Sequence, residues 1–216
     1  SAIAFSGKAI IVKLSYRYPV DALTVIPVSK AQAMQRRGRA GRIGKVHAKS
    51  IVADARSQLV AVSDVNEAAA RELAASCGAT ARSSEEILAD KSIDAVLIAT
   101  STDTHSGFIE AAVAAGKAVL CEKPVALTAN QAAELREVAD KVHIMEAFMV
   151  RFHPQWIAVR DRVQSGELGD LRAVQAYFSY FNRDANNIRN QADIGGGALY
   201  DIGCYPIVTG RFLFRS

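Results

Sequence analysis

Two groups of residues have types and spacings that can do chemistry together. Gly41-Arg42-Ile43-Gly44 stands at the opening of a helical pattern, and Asp64 closes an apolar run twenty residues beyond Gly44. Glycines at such a place let the backbone approach a pyrophosphate, and the helix N-terminus adds free N–H groups and partial positive charge. Arg42 and Ile43 belong to the same cofactor-contacting stretch. A carboxylate at the end of the second strand accepts hydrogen bonds from both adenosine ribose hydroxyls and repels a 2′-phosphate. Asp64 therefore favours NAD, with NADP as the alternative. The second group is Gly195-Gly196-Gly197 with Asp201 and Tyr205 after it. When hydride leaves an alcohol carbon a proton must leave its oxygen, so an acid–base group has to sit within hydrogen-bond reach. Asp201 and Tyr205 are four residues apart and share one face of a helix. The glycines before them let the backbone come close to a ligand at the helix entrance.

The glycine fingerprint is incomplete. G-x-G-x-x-G needs a glycine at 39, where the chain has Arg39, and Gly38 is one residue out of register. A GxxG alone also marks an ordinary helix start. The helix, strand and acid that follow at the right distance support the cofactor reading. The apolar strand that should end beside the glycines is missing: Ala22 to Val28 is the nearest candidate, and Ser29 to Gly38 intervene.

The elements that must position these residues alternate regularly from residue 41. A helix-like IGKVHAKSIVAD precedes the strand-like Leu59 to Val62. Asn66 can cap the next helix and Gly78 can end it. A short helix, SSEEILAD, leads to the strand Ile93 to Ala99. A helix up to Gly116 then leads to Ala118 to Cys121. Thr128 and Gln131 form a capping box for a further helix, with a strand from Val142 to Met149 beyond it. Short apolar strands between helices predict βαβ units and a parallel sheet covered on both faces, a doubly wound Rossmann-type α/β fold. Thr100, Thr102 and His105 follow a strand's carboxyl end, where such folds bind ligands, and join the predicted cofactor contacts. After Met149 the pattern changes. A helix near Gln155 to Gln164 precedes Leu171 to Phe181, whose aromatic and β-branched residues predict a longer strand. This is the start of an incomplete α+β substrate domain.

Asp103-Thr104-His105, Gly116-Lys117, Cys121-Glu122-Lys123-Pro124 and Gly195 to Tyr205 together resemble the glucose–fructose oxidoreductase and inositol dehydrogenase (Gfo/Idh/MocA) family over residues 39–216. Many members carry histidine where this chain has Tyr205. Tyrosine there is similar to the glucose–fructose oxidoreductase, xylose dehydrogenase and dihydrodiol dehydrogenase branch. The resemblance implies NAD(P)-dependent hydride transfer at a CH–OH group of a sugar, polyol or dihydrodiol, and a cis peptide before Pro124. It implies cofactor contacts at Glu122 and Lys123. A phenol is a poor base near neutrality, and an ammonium beside it favours phenolate. Lys123, Tyr205 and Asp201 are therefore expected to act as electrostatic partner and substrate anchor, proton donor or acceptor, and orienting group. Read alone, Glu122-Lys123 fits a surface ion pair and Tyr205 a core aromatic. His153, His47 and His143 receive no catalytic role.

Residues 22–42 resemble another family, the last conserved motif of DEAH-type and related viral RNA helicases, whose arginines contact a nucleotide γ-phosphate. Gly7-Lys8-Ala9 lacks the P-loop's other residues, and no Asp-Glu-x-His box occurs. ATP hydrolysis is disfavoured. Three domains are thus expected: an atypical segment 1–38, a dinucleotide-binding domain 39–147 and the start of a substrate domain 148–216. The 216 residues carry a net charge of +4, with Arg36, Arg37, Arg39 and Arg42 clustered. That cluster reads as a solvated basic loop, and a nucleic-acid partner is the weaker alternative. No apolar run approaches the ~20 residues of a membrane span. Three scattered cysteines fit a reducing cytoplasm, with neither a disulfide frame nor a metal site. The partners expected are a small sugar or polyol and, through exposed sheet, further copies of the chain. A catalytically impaired nucleotide-binding fragment is the competing expectation.

Overall fold

The computed structural model describes residues 23–26, 40–184, 187–191 and 194–214. The basic residues Arg36, Arg37 and Arg39, and most of the helicase-like stretch, lie outside them.

Six parallel strands form one sheet: β1 (Leu23–Ile26), β2 (Leu59–Val62), β3 (Thr80–Ala81), β4 (Ala95–Ile98), β5 (Ala118–Cys121) and β6 (Ile144–Glu146). Their spatial order is β3-β2-β1-β4-β5-β6. This is the doubly wound order in which the chain reverses direction between β1 and β4 and opens a crevice at their carboxyl ends. Leu23 to Ile26 pairs residue for residue with Ala95 to Ile98, and β1 also pairs with β2. The strand found missing from the sequence is therefore present. It lies in the segment assigned to 1–38, so the sheet does not begin at residue 39. A parallel sheet leaves no room for an unfilled centre, because β2 and β4 would otherwise present unpaired backbone groups inside the core.

Helices cover both faces. Along β4 successive side chains alternate: Val96 and Ile98 join one buried cluster, Leu97 and Ala99 the other. The helices α1 (Ala40–Ala53) and α2 (Glu67–Cys77) pack through Ala48, Ile51, Leu73 and Ala74 on the second face. The helices α3 (Ser84–Ala89), α4 (Thr102–Ala114) and α5 (Ala129–Val138) supply Ile87, Ile109, Ala112 and Leu135 to the first. The expected caps form. Asn66 accepts from Ala69 N, Gly78 adopts φ 68°, and Thr128 with Gln131 closes a reciprocal capping box. Beyond β6 lie a 3₁₀ turn (Met149–Phe152), α6 (Pro154–Gln164) and, at the end of the described chain, a π-helical turn (Leu199–Gly203) running into α7 (Cys204–Phe214).

The strand expected over Leu171 to Phe181 does not form. That stretch is irregular, and Tyr177 and Phe181 are 92% and 82% exposed. Aromatic and β-branched residues express strand preference only against a partner strand, and none lies beside it among the described residues.

Lys117, taken from sequence as a motif residue, has a structural task. Its side chain is buried and its Nζ donates to the carbonyls of Asp90 (2.6 Å) and Ile93 (2.7 Å), fixing the approach to β4. Burial holds its pKa below the ordinary lysine value. Lys117→Met removes the donor from the buried Ile93 carbonyl and is expected to cost about 1–3 kcal/mol. Urea denaturation checks this as a fall in midpoint at unchanged m-value.

Candidate active site

The strands deliver their carboxyl ends to one edge of the sheet, and the predicted residues gather there. Gly41 and Arg42 lie in the first turn of α1, followed by the 37% exposed Ile43 and a buried Gly44. Asp64 follows β2. One of its carboxylate oxygens accepts from Asn66 N at 2.9 Å, and burial raises its pKa while that N–H lowers it. A half-buried acid at this strand end gains by taking further donors, so it fits a ribose diol. Ser63, immediately before it, is buried. Thr100 and Ser101 are likewise buried at the end of β4, and the Thr104 hydroxyl donates to Thr100 Oγ1 at 2.8 Å. These groups, the switch point and the N-terminus of α1 fit a dinucleotide laid across the crevice.

His105 does not fit that role. It is 1% exposed, its Nδ1 lies 2.8 Å from the Pro124 carbonyl and its Nε2 3.2 Å from the Thr100 carbonyl. Both nitrogens are turned to main-chain carbonyls, which leaves none for a cofactor. Burial lowers its pKa, against smaller opposing effects of the two carbonyls. The imidazole ties the turn after Lys123 to the end of β4. Glu122 is also committed within the protein: Oε1 meets His47 Nε2 at 2.6 Å and Oε2 accepts from Lys123 N at 3.2 Å.

Lys123, Asp201 and Tyr205 come together although they lie far apart in the chain. The peptide between Lys123 and Pro124 is cis, as the family resemblance implies. Lys123 Nζ donates to the main-chain carbonyl of Asp201 and lies 3.7 Å from its Oδ1. The same nitrogen sits over the Tyr205 ring, 4.8 Å from its centroid. Asp201 lies in the π-helical turn, and the Cys204 thiol also donates toward its carbonyl at 3.9 Å. Phe148 meets the Tyr205 ring edge-on at 5.7 Å and fixes its orientation.

The Asp201 carboxylate has partners that sequence spacing did not reveal. Arg189 Nε and the Tyr180 hydroxyl both donate to Oδ2, the latter at 2.6 Å. Arg189 lies in an Asn-rich stretch that also holds Arg183, and no pattern in the sequence marks it. The glycines also act differently from expectation. Gly195 has φ 82°, and a Cβ there would lie 2.5 Å from Leu127 Cδ2 and 3.3 Å from Thr102 Cβ. Its closeness serves packing of the substrate segment on the sheet edge. Tyr200 fastens the same contact by donating to the Leu127 carbonyl at 2.5 Å.

The phenolate expected at Tyr205 is not favoured. Lys123 faces the ring and not the hydroxyl, and burial is the main cause that pushes the phenol's pKa well up. The charges of Glu122, Cys204 and Asp201 push the same way, and Arg189 only partly opposes them. Tyr205 is thus a neutral O–H donor near neutrality: an acid, and not a resting base.

At its crevice the doubly wound sheet thus meets an ammonium, a carboxylate and a phenol. Residues 38–152 match the family described as "Oxidoreductase family, NAD-binding Rossmann fold", and residues 156–216 match the GFO/IDH/MocA C-terminal domain. The chain belongs to this family. It is 43% identical over 159 residues to an uncharacterized oxidoreductase, ORF334, of Rhizobium meliloti, covering 73% of this chain and 48% of that one. It is 45% identical over 137 residues to the inositol 2-dehydrogenase of Rhizobium meliloti, covering 62% and 42%. A solved 3-ketoreductase from Actinomadura kijaniata, in complex with NADP and TDP-benzene, superposes with TM-score 0.73 at 31% identity, covering 89% of this chain and 57% of that one. The chain spans about half the length of the curated relatives it matches. The family match begins at residue 38, so β1 lies ahead of it.

Tyr180 shares the upward shift, first through partial desolvation and then through its hydroxyl's bond to the Asp201 carboxylate. Of the six tyrosines, Tyr180 and Tyr205 are expected to ionise later than the ordinary pKa of about 10. Tyrosinate absorbance followed through alkaline titration should show this late component, and Tyr205→Phe should remove one residue from it. Because Tyr205 stays protonated in the folded state while the unfolded chain ionises, its contribution to stability is lost as pH rises above about 10.

Proposed function

We propose that this chain is an NAD(P)-dependent oxidoreductase acting on a carbonyl–alcohol pair of a sugar, polyol or dihydrodiol, with carbonyl reduction as the direction its resting protonation favours. The observation that carries this is the convergence of Lys123, Asp201 and a neutral Tyr205 on the sheet edge beside the switch point. Gly41, Gly44 and Asp64 would hold the dinucleotide, whose reduced nicotinamide would supply a hydride to the substrate's carbonyl carbon. The oxygen would then need one proton, which on this reading the Tyr205 O–H gives before it is re-protonated from solvent. Lys123, freed in part from the Asp201 carbonyl, hydrogen-bonds the same oxygen and stabilises developing negative charge. Asp201, restrained by Arg189 and Tyr180, orients Lys123. Alcohol oxidation is the same path reversed, with a base demanded at Tyr205, and is expected to be favoured only as pH rises.

Asp64 supports NAD over NADP by charge, and the 3-ketoreductase relative's complex with NADP makes NADP the alternative. No helix among the described residues is long and apolar enough to cross a membrane. The free thiols Cys77, Cys121 and Cys204 fit the cytoplasmic location proposed from sequence. We place the functional division as in the sequence, a dinucleotide-binding unit to about residue 147 and a substrate unit after it, with β1 completing the first. The exposed Tyr177, Phe178 and Phe181 favour self-association of the chain as it stands. They also favour a second reading, a fragment that binds nucleotide without turnover.

NADH fluorescence titration with a keto-sugar and polyol panel tests the proposal. Binding with turnover is expected. Lys123→Ala and Tyr205→Phe should each lower kcat/KM by about 10²–10⁴-fold while NADH still binds. Binding without turnover in the wild-type chain would establish the second reading, and absence of binding of both NADH and NADPH would refute both.

A further inference from the structure

Asp201 and Glu146 bear on the ammonium of Lys123, Glu122 holds its backbone N–H, and each of the three carboxylates has a further partner. Asp201 has Arg189 and Tyr180. Glu146, at the end of β6, accepts from Val125 N at 2.8 Å. Glu122 has His47, which comes from the third turn of α1, a helix 75 residues away in sequence. The geometry points to His47 as a positioning residue for Lys123, acting through the Glu122 carboxylate as a latch between the cofactor-binding helix and the catalytic strand end. This inference rests on the oxidoreductase reading above.

The contact is short and sheltered. His47 Nε2 and Glu122 Oε1 are 2.6 Å apart, with side chains 24% and 18% exposed. The other oxygen of the same carboxylate accepts from the backbone N–H of Lys123. A carboxylate fixed at both oxygens cannot rotate, so the peptide that carries Lys123 takes its orientation from α1. Without the imidazole donor, Glu122 is released to compete for the ammonium in a site already holding Glu146 and Asp201. Its charge bears on Tyr205 as well, being the largest cause after burial in raising that phenol's pKa. His47 itself has no contact with the Lys123 side chain or with Tyr205 among the bonds the structure shows. It touches the chemistry only through Glu122.

Two substitutions separate positioning from mere packing. His47→Gln keeps a donor nitrogen near the Nε2 position, and His47→Leu keeps bulk but no donor. In the full chain, His47→Leu is expected to lower kcat by up to about 100-fold, with KM for substrate and coenzyme nearly unchanged. His47→Gln should recover most of that loss. NMR-detected hydrogen exchange gives a readout that needs no turnover. The Lys123 amide should exchange about 10-fold faster in His47→Leu, and as in wild type in His47→Gln. Unchanged Lys123 exchange in His47→Leu, or identical behaviour of the two variants in both measurements, would overturn the latch. Failure of the oxidoreductase reading would show separately, as a wild-type chain without turnover, while amide exchange still reports on His47.

Discussion

The ammonium of Lys123 bound to the main-chain carbonyl of Asp201 is the contact on which the site depends, because it joins two parts of the chain 78 residues apart. One end is anchored in the parallel sheet: β5 leads straight into Glu122 and Lys123. The other end is the π-helical turn Leu199–Gly203, in which Asp201 sits. A side chain from the sheet thus meets the helix one turn before the tyrosine.

Electrostatics around that contact sort the roles. Lys123 is buried to a side-chain exposure of 12%, and a buried ammonium is costly unless its donors are used. Asp201 meets part of this need without neutralising the lysine completely, because Arg189 and Tyr180 already claim its second oxygen. Burial meanwhile keeps Tyr205 protonated. On the proposed reading the outcome is a cation for an oxygen that gains negative charge and an acid for the same oxygen, side by side. Two identical groups would have given only one of these functions; different environments give both.

Much of this was readable from residue order. β2, β4 and β5 are short apolar runs, and Asn66, Gly78 and the Thr128–Gln131 box mark helix ends through local chemistry that needs no tertiary information. Lys123, Asp201 and Tyr205 were found from motif and spacing. What escaped depends on distant partners. β1 falls within Ala22 to Val28, the candidate nearest the glycines, but residues 27–39 separate it from α1, and pairing with β2 and β4 identifies it. Leu171 to Phe181 has strand-like residues without a neighbouring strand, so preference alone misled. Arg189, Tyr180 and His47 are single residues whose partners lie 12, 21 and 75 positions away. His105 has the position of a ligand-binding residue, but burial turns both nitrogens to backbone carbonyls. Phenolate at Tyr205 was inferred from one nearby charge, whereas desolvation outweighs it.

The most direct test is native-state hydrogen exchange across residues 199–214 in Lys123→Met. The methionine keeps the chain length and apolar stem but has no donor for the Asp201 carbonyl. The π-helical turn and the start of α7 should lose protection selectively, while β4 and β5 exchange as in wild type. Protection of 199–205 equal to that of the wild-type chain would mean that the lysine does not hold the substrate segment, and would contradict this account of the site.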